Sequence, residues 1–508
     1  MIGLDGAPYD FLSSIVDEGG LRNFRELMEH GVSGVLRSTI PPVSPVAWAS
    51  ISTGLNPGKH GVFGFVDREH RPYSSKNIMG LALWDLLARA RKRSLCINVP
   101  FTYPPYRVRG AMISGPPCPK DEPSTYPPDL KDELKELSYR VDVRLPHGGY
   151  RGIREDAFVK DCLSVTETRA EAVLRLAEEF KWDFLFVVFT TLDRVQHVFF
   201  GRALRESPFY DQRGHETLMS YYKTVDDILG KLLSELGDDT VFFFVSDHGF
   251  EPLYRFVGLR NLISDFLARK EPRRLLYNLV ARITRELRLT GFIKKVLSKI
   301  GLLSSAYEQV EGNVQPGLGC VYFNRPEQEL KELIGFLTAI KDKEDVKVFE
   351  RLYLKEELYW GPELRKAPDL VLVPRTGYEI RSQLPNKFED IRPVKGVICK
   401  TGTHMSLRAL RGFLAIYGPG VREGFRVDAC VYDIAPTVLH VLGLPVVEDM
   451  DGEVLTKAFE ESSELARRPV RKVRLRRVKR RSARRARGGC GSRSSLTESW
   501  GRSMMRLA

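Results

Sequence analysis

Residues 240–250 read TVFFFVSDHGF. The run Thr240 to Val245 lacks the alternation of a strand with one wet face, and so short an aromatic and β-branched stretch reads as a strand buried on both sides, as in parallel sheets. It stops at Asp247-His248-Gly249. Two ionisable side chains at the end of a buried strand are costly without a role, and Gly249 lets the backbone turn there. The same construction recurs upstream: DFLFVVF at 183–189 runs into TTLDRVQH, and MIGLD at 1–5 ends in Asp5-Gly6. Helical periodicity over 155–180 and 215–237 separates these strands. Strand and helix alternate, with polar residues after each strand, which predicts a doubly wound, mostly parallel α/β sheet with ligands at the carboxyl ends of its strands.

Working outward, Phe11 to His30 reads as one amphipathic helix closed by Gly31, and 32–38 as a strand. Met1 to Asp5 is short for a central strand, so a few upstream apolar residues are expected. Residues 78–93 read as helix and 94–99 as strand. PFTYPPYRV and SGPPCPKDEPSTYPP are too Pro-dense for regular structure and read as loops. From Leu259 to Leu303 the chain turns basic, amphipathic and helical, like a cap inserted between sheet elements. Strand patterns return at 319–324, 346–350, 369–373 and 412–417, and a helix at 432–442. The expected organisation is an α/β core over 1–258 and 319–464, a helical cap insertion over 259–318, and a disordered basic tail over 465–508.

The 508 residues are 43% hydrophobic and 10% aromatic, a globular composition. No run of about 18 apolar residues marks a membrane span, and MIGLDGAPYD lacks the basic-then-apolar pattern of a signal peptide. Seven scattered cysteines, none in a C-x-x-C pair, suit a reducing, cytoplasmic compartment. The net charge of +13 is a property of the tail: residues 467–508 hold 16 Lys/Arg against Glu498 alone, leaving the other 466 residues at −2.

Residues 38–65, STIPPVSPVAWASISTGLNPGKHGVFGF, place Ser44 before a helical run. Alone it reads as an N-cap; it would also stand where free helix N–H groups favour an anion, a good place for a nucleophile that receives a phosphoryl group. Asp193 and His197 are spaced i, i+4 and share a helix face. With Asp5, Asp247, His248 and His404 in KTGTHMS, the chain offers six ligand candidates plus the Ser44 oxygen, enough for two divalent ions at three or four ligands each.

These motifs resemble the alkaline phosphatase superfamily, specifically its type I phosphodiesterase/nucleotide pyrophosphatase branch. The resemblance rests on GLDG at 3–6, SPVAWASISTGLNPGKHGVFGF at 44–65, TLDRVQH at 191–197, SDHGF at 246–250, GTHMS at 402–406, and YGPGV followed by YDIAPTVLHVLGLP and DMDG, in the family's order. It implies one metal site of Asp193, His197 and His404 and a second of Asp5, Asp247 and His248, with Ser44 bridging to the second as nucleophile. It implies a phosphoserine intermediate, later hydrolysed, and zinc as the usual ion, with manganese or magnesium in some branches. The substrate would be a small phosphorylated molecule such as a nucleotide.

Many nucleotide pyrophosphatases carry Thr at the nucleophile and Asn three residues on; here stand Ser44 and Ala47, so the oxyanion contact passes to backbone N–H groups, another side chain or metal. The sulfatase signature needs Pro and Arg where this chain has Val46 and Trp48, which argues against that activity. Within the superfamily the alternatives are a phosphomonoesterase or a phosphotransferase like cofactor-independent phosphoglycerate mutase. From another class, the tail suggests a nucleic-acid or anionic-surface binder.

Overall fold

The computed structural model describes residues 1–474 except 19, 79, 120–121, 146–152, 271–313, 316–318, 383 and 395. The tail beyond 474 and most of the 259–318 insertion lie outside the described residues; of the insertion, helix Leu259–Lys270 is described.

A ten-stranded sheet is the frame. Its strands are β1 (Ile2–Leu4), β2 (Val32–Arg37), β3 (Ser94–Val99), β4 (Gly110–Ser114), β5 (Thr125–Tyr126), β6 (Phe184–Phe189) and β7 (Phe242–Val245). Returning late in the chain are β16 (Arg411–Tyr417), β17 (Phe425–Arg426) and β18 (Ala429–Cys430). The order is β17-β2-β16-β7-β1-β6-β3-β4-β5, with β18 also on β2. Pairings of β1 with β6 and β7, and of β3 with β4 and β6, are parallel. Strand β16 runs antiparallel to both β2 and β7.

That reversal has a consequence for the site. Parallel strands β7, β1 and β6 deliver the residues after them to one edge, and an antiparallel strand delivers to that same edge the residues before it. The segment ahead of Arg411 therefore meets the loops after Leu4, Phe189 and Val245.

Each face of the sheet is covered. Leu185, Val187 and Phe189 of β6 join a core with Leu12, Phe24 and Phe200, whereas Phe184, Phe186 and Val188 join another with Trp48, Trp84 and Leu414. A strand apolar at every position thus serves two cores, each fully buried side chain contributing about 1.5–3 kcal/mol.

Between β7 and β16 the chain builds two smaller sheets. One is formed by β9 (Val314–Gln315), β10 (Cys320–Val321), β11 (Phe349–Leu354) and β12 (Leu370–Pro374), in the order β11-β12-β10-β9. In the other, β8 (Glu251–Gly258) is flanked by β13 (Gly377–Arg381) and β14 (Phe388–Asp390), and β15 (Gly402–Thr403) also pairs with β8. They share a core of Val257, Leu262, Leu333, Leu372 and Ile380. The strand patterns read at 319–324 and 369–373 take in β10 and all but the last residue of β12, strands of this module, and the one read at 346–350 overlaps β11 only at 349–350; of the four, only the one read at 412–417 rejoins the large sheet, as β16. Alternation reports burial, and it does not say which sheet does the burying.

Three local readings also change. The helix expected over 11–30 is two, α1 (Tyr9–Glu18) and α2 (Arg22–Glu29), with Gly20 at φ +61° between them. The helix expected over 78–93 is shorter, Leu83–Arg89. The Pro-dense stretch hides a strand pair: Thr125–Tyr126 lies antiparallel to β4.

Candidate active site

Asp5 follows β1, and the two glycines around it do separate jobs. A side chain on Gly3 would come within 2.5 Å of the Trp48 ring, so glycine admits that ring; the Trp48 indole N–H then donates to Asp5 Oδ2 at 3.4 Å. Gly6, at φ +73°, turns its N–H to Asp247 Oδ1 at 3.1 Å. Trp48 lies one turn after Ser44 on helix α3 (Ser44–Thr53), an i, i+4 spacing that was the available signal for it.

The Ser44 hydroxyl lies 3.3 Å from Asp5 Oδ1, to which it donates, and 3.3 Å from His248 Nε2. His248 Nε2 is 3.3 Å from Asp247 Oδ2 and 3.6 Å from Asp5 Oδ1. On helix Thr191–Ala203, Asp193 Oδ1 lies 3.4 Å from His197 Nε2 and 3.8 Å from His404 Nε2. All seven residues read from the sequence thus meet at one edge of the large sheet. One converging set matches the implied pairing, Asp5, Asp247 and His248, and the other, Asp193, His248 and His404, has His248 where the pairing has His197; within each the ligand atoms lie within 4.8 Å of one another. His248 belongs to both, and its ring stacks on His404 with centroids 3.8 Å apart. His197 joins through Asp193.

The three imidazoles are oriented alike. Nδ1 faces a backbone carbonyl in each: Gly402 O at 2.9 Å for His197, Gly249 O at 2.9 Å for His248 and Pro42 O at 2.8 Å for His404. A carbonyl only accepts, so Nδ1 carries the proton and Nε2 presents a lone pair to the carboxylates. This is how metal-ligating histidines are held. Phe250 packs among the three rings, 4.9 Å from His197 and 5.5 Å from His404.

Charge balance points the same way. Burial pushes the carboxyl of Asp247 up to about 8, and burial followed by the Asp247 and Asp193 charges pushes Asp5 well above the carboxylate range. Burial likewise raises Asp193 and drives His197 and His404 well below an ordinary imidazole. Asp193 Oδ1 and Asp247 Oδ2 are buried with no hydrogen-bond partner among the described residues. Buried acids with orphaned oxygens facing imidazole lone pairs fit divalent cations, which would neutralise the acids and fill the orphaned positions. The nitrogen and oxygen donor set suits zinc and accommodates manganese or magnesium.

One expectation fails. Helix α3 does not offer a row of free N–H groups: Pro45 has none, and Val46 and Ala47 donate to Val43 O at 3.0 and 3.1 Å. With Ala47 in place of an amide and the N–H groups of Val46 and Ala47 engaged, the Ser44 N–H, other side chains or cations would meet phosphoryl oxygens. Residues missed by the sequence reading lie close by. Arg194 Nη1 is 3.1 Å from Asp193 and its Nη2 2.8 Å from Asp142, while half-buried Lys400 pairs with Glu379 at 2.7 Å.

The sequence matches the family model described as type I phosphodiesterase/nucleotide pyrophosphatase over residues 1–404. Murine ectonucleotide pyrophosphatase/phosphodiesterase 5 is similar in structure at 14% identity and a TM-score of 0.53, covering 90% of this chain and 99% of its own. An inactivated variant of that murine protein in complex with AMP gives 15% identity and a TM-score of 0.51, over 87% and 95% of the two chains. A four-substitution variant of the alkaline phosphatase PafA is similar at 14% identity and a TM-score of 0.53, over 90% and 98%. No curated protein sequence matches this one.

Proposed function

Because the chain belongs to the type I phosphodiesterase/nucleotide pyrophosphatase family and is a phosphoester hydrolase, we propose that it cleaves a phosphodiester or pyrophosphate bond of a nucleotide through a covalent intermediate on Ser44. The observation that carries this reading is the Ser44 hydroxyl poised 3.3 Å from both Asp5 Oδ1 and His248 Nε2, at the seam of two ligand sets. Ser44 Oγ forms the new bond to phosphorus, its proton held towards Asp5 Oδ1. The ester or anhydride oxygen departs with the electron pair of the broken bond, and a water oxygen then displaces Ser44, restoring the hydroxyl. Asp193, His197 and His404 would hold one divalent ion and Asp5, Asp247 and His248 the other, with His248 within reach of both. Such ions supply Lewis acidity towards phosphoryl oxygens and a lowered pKa for a bound hydroxyl.

A nucleotide as substrate is supported by the AMP complex of the structural neighbour. A cytoplasmic setting is supported by six described cysteines that are free thiols. No described helix is long and apolar enough to cross a membrane.

Initial rates on bis-nitrophenyl and mono-nitrophenyl phosphate, each with zinc and with manganese, test the reading. The diester is expected to turn over faster, and Ser44→Ala to lose turnover on both. A faster monoester would return the phosphomonoesterase alternative; full turnover by Ser44→Ala would remove the seryl mechanism.

A further inference from the structure

His404 is the one ligand candidate not carried by a strand end of the large sheet or by the helix after β6. Its loop is held by the small sheet instead. Strand β15 pairs with β8 so that Thr403 lies opposite Glu251. Glu251, three residues after His248, is fully buried, and its carboxylate accepts from the Met405 N–H at 3.1 Å and the Ser406 N–H at 2.8 Å, and from the Ser406 hydroxyl. On the other side, Glu379 of β13 accepts from the Thr403 hydroxyl at 2.8 Å. Two buried carboxylates from neighbouring strands bracket the backbone on either side of residue 404.

The two differ in kind. Glu379 is paired with Lys400 and Arg381. Among the described residues Glu251 shows only uncharged donors: the Thr376 hydroxyl and the groups on Met405 and Ser406, the two residues that follow His404. A buried carboxylate carries a large desolvation cost, and apolar packing would close a loop without it. What the carboxylate adds is direction: two converging N–H bonds fix the peptide planes after His404, while Pro42 O fixes its ring through Nδ1. Peptide plane and ring together set where Nε2 points.

We propose that Glu251 is a positioning residue for His404, aligning its Nε2 on the Asp193 side of the site so that a divalent ion finds a preformed set; the proposal rests on reading His404 as a metal ligand. Partners that orient a ligand in this way typically change metal affinity by about 10- to 100-fold.

The test is zinc affinity of the full chain, by competition with a chromophoric chelator, read beside the melting temperature of the metal-free protein. Glu251→Ala is expected to weaken one of two ions by about 10- to 100-fold. Glu251→Asp keeps the charge but falls one methylene short, and should weaken the same ion by about 10-fold. Glu251→Gln, whose amide oxygen can still accept both N–H groups, should stay within about threefold of the unaltered protein, the rescue a conservative variant gives. A role confined to stability would lower the melting temperature and leave affinity unchanged; unaltered affinity in Glu251→Asp and, if it folds, Glu251→Ala overturns the proposal. His404→Ala separates the two levels. If it leaves both ions bound as before, the ligand reading falls, and the proposal with it; if it loses one ion while the Glu251 variants do not, only the proposal falls.

Discussion

The two halves of the site are built differently. Asp5, Asp247 and His248 stand directly after β1 and β7, adjacent strands of the large sheet, and Ser44 opens the helix that packs against them through Trp48. His404 stands on a loop whose position is set by β8, β15 and Pro42 O, contacts up to 362 residues apart in sequence. The sheet-edge half is fixed by local chain direction and the His404 half by long-range hydrogen bonds, so substitutions should act on them differently.

The largest contrast is expected between Asp247→Asn and His404→Ala. Asp247 is fully buried beside Gly6 and His248, and its asparagine variant, by weakening the charge balance of the cation it would hold, should lose on the order of 10²- to 10³-fold in kcat, the scale of losing one stabiliser of developing charge. His404→Ala should mainly lower metal content, measured by elemental analysis after dialysis. Equal loss of metal in both would merge the halves into one cooperative site.

A smaller effect on the sheet-edge half comes from Trp48→Phe, which keeps an aromatic side chain, removes the benzo edge beside Gly3 and deletes the N–H on Asp5. Metal affinity should fall by about 10-fold, as for a lost orienting bond to a ligand. Competition with a chelator reads it.

Next is a pH effect on stability. His60, in the turn after α3, accepts the Val62 N–H at Nδ1 and faces Ser50 Oγ through Nε2 at 3.0 Å. Burial lowers it to about 3 from 6.5. The unfolded chain takes a proton below pH 6.5 and the folded chain does not until about 3, so this stabilisation is complete above 6.5 and is lost as pH falls. The slope is about 1.4 kcal/mol per pH unit from this group. Urea titrations between pH 7 and 4 should show it, and His60→Asn should flatten it.

The smallest concerns the contact between the second module and the nucleophile loop. Tyr359 donates to Ile40 O at 2.6 Å, in a core with Val43 and Val46. Tyr359→Phe should cost about 1 kcal/mol by thermal melting and raise KM more than it lowers kcat.

The same division explains what the sequence discloses. Asp5, Asp247 and His248 are legible because a buried apolar strand followed by an ionisable residue is a local pattern, and Asp193 and His197 because i, i+4 spacing is one too. His404 is legible only through its motif. Glu251 carries no local signal, since its partners Met405 and Ser406 lie some 155 positions away. The module of β8 to β15 hides for a related reason: its strands have the composition of core strands, and partner choice is a tertiary fact. The first turn of α3 was misread because Pro45 and the Val43 carbonyl remove the N–H groups that a helix start usually offers.

The central claim is that Ser44 is the phosphoryl acceptor. Acid quenching of the metal-loaded protein during turnover of bis-nitrophenyl phosphate, followed by peptide mass spectrometry, tests it directly. A nitrophenyl phosphoryl adduct on the Ser44 peptide, absent from Ser44→Ala together with turnover, is the result expected. Turnover by Ser44→Ala at the rate of the unaltered protein, with no adduct in either, would contradict it.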